Sequence, residues 1–267
     1  MVDKITVGKF SKGIMSPGAW AYSLLVVFIL GVSTVVVTRI LLYVHHPKYF
    51  LHTIPSISKT AAFAPGSYIF TVGMTVVSAC IVITWVLIFK LNNHRINLAL
   101  LDHAWIMLCR ILNFSACVCG ITAGVYLALL SNISLEANSD FHINYSKYFF
   151  FLQTLSFIID TVCVSITRRA SPGKYVYDYA FHTRAFICII VFLDALFFQY
   201  LFENRDSGIF SDRHFAQQIY ILAEHTIAFL SFSYSAAYFP EVYKYFNSSI
   251  IFRHHHEIKD ISSRHLQ

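Results

Sequence analysis

Charge is scarce in this chain. Asp, Glu, Lys and Arg make up 13% of its 267 residues, about half the share of a soluble globular domain. With 20 Lys and Arg and only 14 Asp and Glu, a soluble enzyme could not cover its surface. A disordered chain and a coiled coil are excluded for the same reason. The net charge of +6 does not indicate a nucleic-acid-binding domain, because so few charges carry it. Recognised catalytic signatures are missing as well. There is no Gly-x-Ser-x-Gly, no phosphate-binding Walker loop, no His-Glu-x-x-His and no dinucleotide fingerprint, and no internal repeat is visible. Cysteine is sparse and badly placed for disulfides. Cys80, Cys109, Cys117, Cys119, Cys163 and Cys188 all fall in apolar stretches or beside the basic loops, which argues for packing rather than for a secreted framework. Cys109 is placed at a membrane edge, where palmitoylation is conceivable.

What the chain has is apolar length. Hydrophobic residues make up 57% of it, aromatic residues 16%, and the mean hydropathy is +0.59. Residues 13–38, 60–89 and 111–135 contain no charged side chain, and about 20 apolar residues suffice to cross the ~30 Å hydrocarbon layer. Spans are expected at about 20–44, 67–89 and 111–131. Three weaker ones are expected at 148–167, 185–202 and 217–240, broken by Asp160, by Asp194 and by Glu224 with His225. One acid costs ~3 kcal/mol on the insertion scale, which the surrounding Leu, Ile and Phe outweigh. The fold class is therefore all-α, a polytopic membrane protein built as a bundle of six transmembrane helices over residues 20–240. Segment 1–19 and tail 241–267 flank it.

The Lys/Arg bias gives an orientation. With six spans, the side holding both termini and the loops 90–110 and 168–184 carries 14 Lys and Arg, including Arg95 and Arg184, against 6 on the other side. Both termini are expected in the cytoplasm. Arg39, near the outer end of span one, is expected to snorkel, and Ile96–Met107 to lie along the cytoplasmic interface as an amphipathic stretch. The first apolar stretch starts late and is too long for a signal peptide. The sequons at Asn132 and Asn144 fall in the outer loop between spans three and four and are possible glycosylation sites. The one at Asn247 falls on the cytoplasmic side.

An ionisable group in hydrocarbon should face the bundle interior with a partner. Asp160, Asp194, Glu224 and His225 are thus expected to line one polar pocket between spans four, five and six. That pocket would open outward and bind lipid or a membrane partner. The competing reading is a hydrogen-bonded network that only locks the helices together. Ala116, Gly120, Gly124 and Ala128 repeat every fourth residue, leaving a flat helical face for a neighbouring backbone. His45, His46 and His52, and the run His254-His255-His256, match no metal-ligand spacing, so no metal and no cofactor is expected.

Two segments resemble a known family. Ile54-Pro55-Ser56-Ile57-Ser58, followed by Ala64-Pro65-Gly66-Ser67-Tyr68-Ile69-Phe70, is similar to the Pro-x-Ile-Ser…Pro-Glu-x-x-Ile-Phe segment of the DRAM/Frag/Sfk proteins. Ile221-Leu222-Ala223-Glu224 with Phe229, Phe232 and Tyr234 resembles their last span. Lys59-Thr60-Ala61 stands where Asp-x-Gly often follows, and Gly66 replaces the acid. The resemblance implies six spans and an endomembrane protein (Golgi, lysosome or ER) or a plasma-membrane one. It also implies work in autophagy regulation, in GPI-anchor lipid remodelling or in lipid organisation. If a site carries over, it comprises Pro55, Ser56, Ile57, Ser58 and Glu224. Pro55 fixes its own φ, while Ser56 and Ser58 suit a cap on span two.

The function expected is a non-catalytic integral membrane factor in lipid organisation or membrane trafficking. Its expected partners are membrane lipid and other membrane proteins, with no nucleic acid. The alternatives are a lumenal lipid-remodelling enzyme using Glu224 or His225 as acid/base, and a proton-coupled transporter.

Overall fold

The structure is a computed structural model. It describes residues 18–50, 54–170, 178–204 and 213–264, and of 178, 213 and 248–264 only the backbone. All regular structure among them is helical. After a 3-10 turn at Ala19–Ala21 come α1 (Tyr22–His45), a second 3-10 turn at Pro47–Phe50, the one-turn α2 (Ile57–Thr60), α3 (Gly66–Leu98), α4 (His103–Asn132), α5 (Ser139–Arg169), α6 (Asp178–Asn204) and α7 (Arg213–Arg264). The first long helix is crowded with Val, Ile and Thr, poor helix formers in water. In hydrocarbon each backbone group must be satisfied within its own segment, so the helix forms regardless. Where water is near, side chains set the ends. The Asn138 side chain accepts a hydrogen bond from the Phe141 amide at 3.1 Å and starts α5.

The six long helices form a closed ring in chain order. α1 packs on α3, α3 on α4, α4 on α5, α5 on α6, α6 on α7, and α7 returns to α1. Neighbours are antiparallel. Along the α3–α4 seam the contacts run from Thr71 with Ser131, through Ser78 with Gly124, to Phe89 with Asn113. At the centre Trp85 of α3, Phe157 of α5 and Tyr234 of α7 stack on one another, with centroid distances of 6.2 and 3.8 Å. Connections α1–α3, α4–α5 and α6–α7 thus share one end of the bundle, here termed the cap end. The start of α1 and the C-terminal part of α7 lie toward the opposite, terminal end.

Five of the long helices are long and apolar enough to cross a membrane. α7, which contains the expected sixth span 217–240, is not among them. Glu224, His225, Glu241 and a series of Ser and Tyr lower its hydropathy. It still follows α1 through the bundle. Tyr22 meets Phe239 and Tyr243, Gly31 meets Phe232, and Arg39 meets His225. Tyr22 to Arg39 spans about 26 Å at 1.5 Å per residue, so α7 runs beside an apolar helix for most of the hydrocarbon depth.

Three further expectations change. No separate amphipathic helix covers Ile96–Met107, because α3 runs to Leu98 and α4 starts at His103. Cys109 is fully buried, its carbonyl facing the Cys163 thiol at 3.4 Å, which removes it as an acylation site. Arg39 does not snorkel but turns inward to polar partners of its own.

Candidate functional site

The cap is built by residues Pro55 to Thr60. Ser56 has extended backbone, φ −63° and ψ 162°, and its Oγ accepts from the Lys59 amide at 3.1 Å. This is an N-cap, and it starts α2 rather than α3, which begins ten residues later at Gly66. A Cβ at Gly66 would lie 3.1 Å from the Thr60 carbonyl oxygen and 3.7 Å from that of Thr38, so this close approach suits glycine. α2 is tied to three helices. Toward α1, Arg39 Nη2 donates to the Pro55 carbonyl at 2.7 Å, and Thr38 Oγ1 lies 3.4 Å from Thr60 Oγ1. Toward α7, the Ile57 amide donates to Glu224 Oε2 at 3.0 Å, and Ser58 presents its own amide and hydroxyl to the same carboxylate. Toward α5, Ser58 Oγ lies 2.8 Å from His142 Nε2.

The imidazoles have assignable tautomers. His142 Nδ1 is 2.6 Å from the Ile133 carbonyl. A carbonyl only accepts, so Nδ1 carries the hydrogen and a neutral ring leaves Nε2 as acceptor toward Ser58. His225 Nδ1 is 2.6 Å from the Ile221 carbonyl, and its Nε2 receives the Arg39 guanidinium. Both nitrogens of His225 are therefore committed, and it is not a free acid or base.

A cavity of about 630 Å³ opens beside the cap between α5, α6 and α7. Pro55, Ser56, Ser58 and Glu224 line it, together with His142, Lys59, Lys147 and the rings of Tyr49, Phe198, Phe202 and Tyr220. His225 does not. It lines a second, smaller groove of about 230 Å³ between α1 and α7, with Arg39, Val35 and Phe232.

Asp160 is elsewhere. Its Oδ2 accepts from the hydroxyls of Tyr234 and Tyr238, each at 2.6 Å, and its Oδ1 from Asn92 Nδ2 at 2.7 Å. Those tyrosines lie ten and fourteen residues beyond Glu224 on α7, about 15 and 21 Å along the axis. Next to them Glu241 bridges Arg95 at 2.9 Å and Arg184 at 2.8 Å, and the Arg184 guanidinium lies 3.7 Å from the Tyr238 ring centroid. Two guanidiniums thus share the interior with two acids. Arg95 and Arg184, read from sequence as loop charges, belong to this buried network. Asp194 joins neither group: it is half-buried on α6, and its Oδ2 has no hydrogen-bond partner. The structure therefore divides the acids among three places instead of gathering them in one pocket.

The chain matches the family model described as the Frag1/DRAM/Sfk1/Cwh43P N-terminal domain over residues 19–245. It belongs to the Frag1/DRAM/Sfk1 family. Comparison with curated proteins and with solved structures returned no match. In this Frag1-family bundle the small-residue face of α4 meets α3. Trp85 lies over Gly120, while Gly124 packs against Val82, Ile81 and the Ser78 backbone, and Ala116 is buried on the same side. Ala128 is partly exposed. Asn132 is the last residue of α4 and Asn144 lies in the second turn of α5, both exposed at the cap end. Among the described residues no three His, Cys, Asp or Glu stand close enough to hold a metal ion. His52 and the side chains of His254, His255 and His256 lie outside the described residues.

Sequence reasoning missed His142, Lys147 and Arg39 as site residues. His142 had one available signal, a histidine in the first turn of an apolar helix. Arg39 had another, the only Lys or Arg in span one.

Proposed function

We propose that this integral membrane protein recognises the headgroup of an anionic lipid at the cap end of its bundle and serves lipid organisation in the membrane. The observation that carries this reading is the lining of the 630 Å³ cavity. Two of its walls are α5 and α6, both long and apolar enough to cross a bilayer, which puts membrane lipid within reach. Lys59 and Lys147 supply the positive charge for a phosphate, in the manner of flexible point charges. Tyr49, Phe198, Phe202 and Tyr220 give flat surface for the apolar part of the molecule. Lys147 lies 4.1 Å from the Phe202 centroid, and Lys59 lies 5.0 Å from the Tyr49 centroid. The salt bridge of Lys59, 3.2 Å to Glu136 on the exposed rim, is weak enough to yield to a phosphate.

The test is native mass spectrometry of the protein released from bilayers containing phosphatidylcholine and phosphatidylglycerol with identical acyl chains. The anionic lipid should be retained in preference. Each Lys near the membrane surface contributes about 1 kcal/mol, so the K59Q/K147Q double variant should lower the preference by on the order of tenfold or more. Equal retention of the two lipids by the native protein would reject the reading.

A further inference from the structure

The contact between Ser58 and His142 answers to a chemical arrangement as well as to a structural one. Ser58 is partly exposed to the cavity, whereas His142 is 4% exposed and also lines it. The Ile133 carbonyl fixes the hydrogen of His142 on Nδ1, so Nε2 is an acceptor 2.8 Å from Ser58 Oγ, and the one hydroxyl hydrogen of Ser58 lies between this nitrogen and the Glu224 carboxylate. A nucleophile, a base within hydrogen-bond reach and a third group orienting that base are the parts of an activated serine. Here a backbone carbonyl takes the orienting place. The depth also fits. α5 has 31 residues, about 46 Å, against ~30 Å of hydrocarbon. Its first turns, with His142, therefore reach the level where the ester carbonyls of glycerolipids lie.

We infer that Ser58 and His142 form a catalytic dyad that cleaves an acyl ester of the anionic glycerolipid held in this cavity. The inference rests on the lipid-recognition reading and adds chemistry to it. Ser58 Oγ attacks the ester carbonyl carbon while its proton passes to His142 Nε2. Lys59 and Lys147, which line the same cavity, are the cations available to the tetrahedral oxyanion. It collapses by breaking the bond to the lipid oxygen, which takes the proton from Nε2 and leaves as an alcohol. Water then attacks the acyl-serine, giving one proton to His142 and releasing the fatty acid. The serine oxygen regains the proton from Nε2. No oxidant, metal or nucleotide is required.

The experiment uses the full chain in vesicles of phosphatidylcholine and phosphatidylglycerol, treated with a fluorophosphonate that traps activated serines. Peptide mapping should place the adduct on Ser58, and Ser58→Ala should abolish it. His142→Gln should slow labelling by on the order of 100-fold or more, the usual share of a general base. Fatty acid release should fall in parallel. A native protein that acquires no adduct at Ser58, or an H142Q variant labelled at the native rate, overturns the dyad. Lipid retention measured on the same samples separates the two readings. Preferential retention of phosphatidylglycerol without an adduct leaves recognition standing and removes the chemistry; an adduct without preferential retention does the reverse. If either variant fails to fold, Ser58→Cys provides a second readout. Its alkylation by iodoacetamide should proceed at lower pH with His142 present than in the S58C/H142Q double variant. Identical pH profiles would overturn the dyad.

Discussion

Asp160 accepts three hydrogen bonds with two oxygens, two of them from tyrosine hydroxyls. Asp160→Asn keeps the size of the side chain but turns one oxygen into a donor that faces another donor. A buried donor left without an acceptor costs about 1–3 kcal/mol, so D160N should lower the thermal unfolding midpoint of the purified protein. Asp160→Leu, which strands all three donors, should lower it further. A midpoint unchanged in both would mean that these bonds are not made. Which acid has which neighbours was only half legible in the sequence. The expense of a carboxylate in hydrocarbon marked Asp160, Asp194 and Glu224 as groups needing partners. The partners themselves are set by which face of α5 meets α7, and hydropathy says nothing about rotation around a helix axis. Tyr234 and Tyr238, at i and i+4, share one face of α7, and the level of Asp160 on its own helix decides that they serve it. His142 was hidden for a different reason. Its orienting partner is a backbone carbonyl in the turn before α5, and turn geometry is not written in the type of residue that supplies the carbonyl.

The elements were easier to read than their contents. Long charge-free runs located α1 within two residues and the start of α3 and the end of α4 within one, while α3 ends nine residues later than expected and α4, α5 and α6 start eight, nine and seven residues ahead of the expected spans, because amphipathic turns at the membrane edge continue the helix. The small-residue period on α4 identified a face for close approach but not the helix that uses it. Two glycines on that face make different contacts, which yields a graded expectation. At Gly120 an added Cβ falls inside the Trp85 ring, the largest side chain of the core. At Gly124 it meets Val82 Cγ2 at 3.1 Å and the Ser78 carbonyl at 3.3 Å, which small shifts accommodate. Overpacking a filled core costs about 1–3 kcal/mol. Gly120→Ala should take the whole of that penalty, Gly124→Ala a fraction of it, and thermal unfolding of the two variants side by side checks the order. Equal midpoints would mean that Trp85 does not sit over Gly120.

At the scale of the whole molecule, the closed ring of six antiparallel helices places every connection at one of two ends. Leu100 and the α3–α4 turn lie at the terminal end, and Ser139 with the α4–α5 turn lies at the cap end. The Lys/Arg bias predicts that the terminal end faces the cytoplasm, even though Arg95 and Arg184 are consumed in the pairs with Glu241. Buried charges still require a side from which they entered, so their pairing does not cancel the bias. Leu100 is 83% exposed, and Ser139 is exposed at the first position of α5, so a cysteine at either site should be open to a thiol reagent. The native cysteines are a low background, since Cys109, Cys117, Cys163 and Cys188 are buried and Cys80 and Cys119 are partly buried within apolar helices. In sealed vesicles of cytoplasm-inside orientation, a membrane-impermeant maleimide should modify Ser139→Cys at once. Leu100→Cys should react only after permeabilisation. Modification of both from the same side would break the antiparallel ring, and the reverse pattern would invert it. In the inverted protein the cavity, the Ser58–His142 contact and both lysines would face the cytoplasmic leaflet, where anionic lipid is concentrated, and the ligand would have to be sought there.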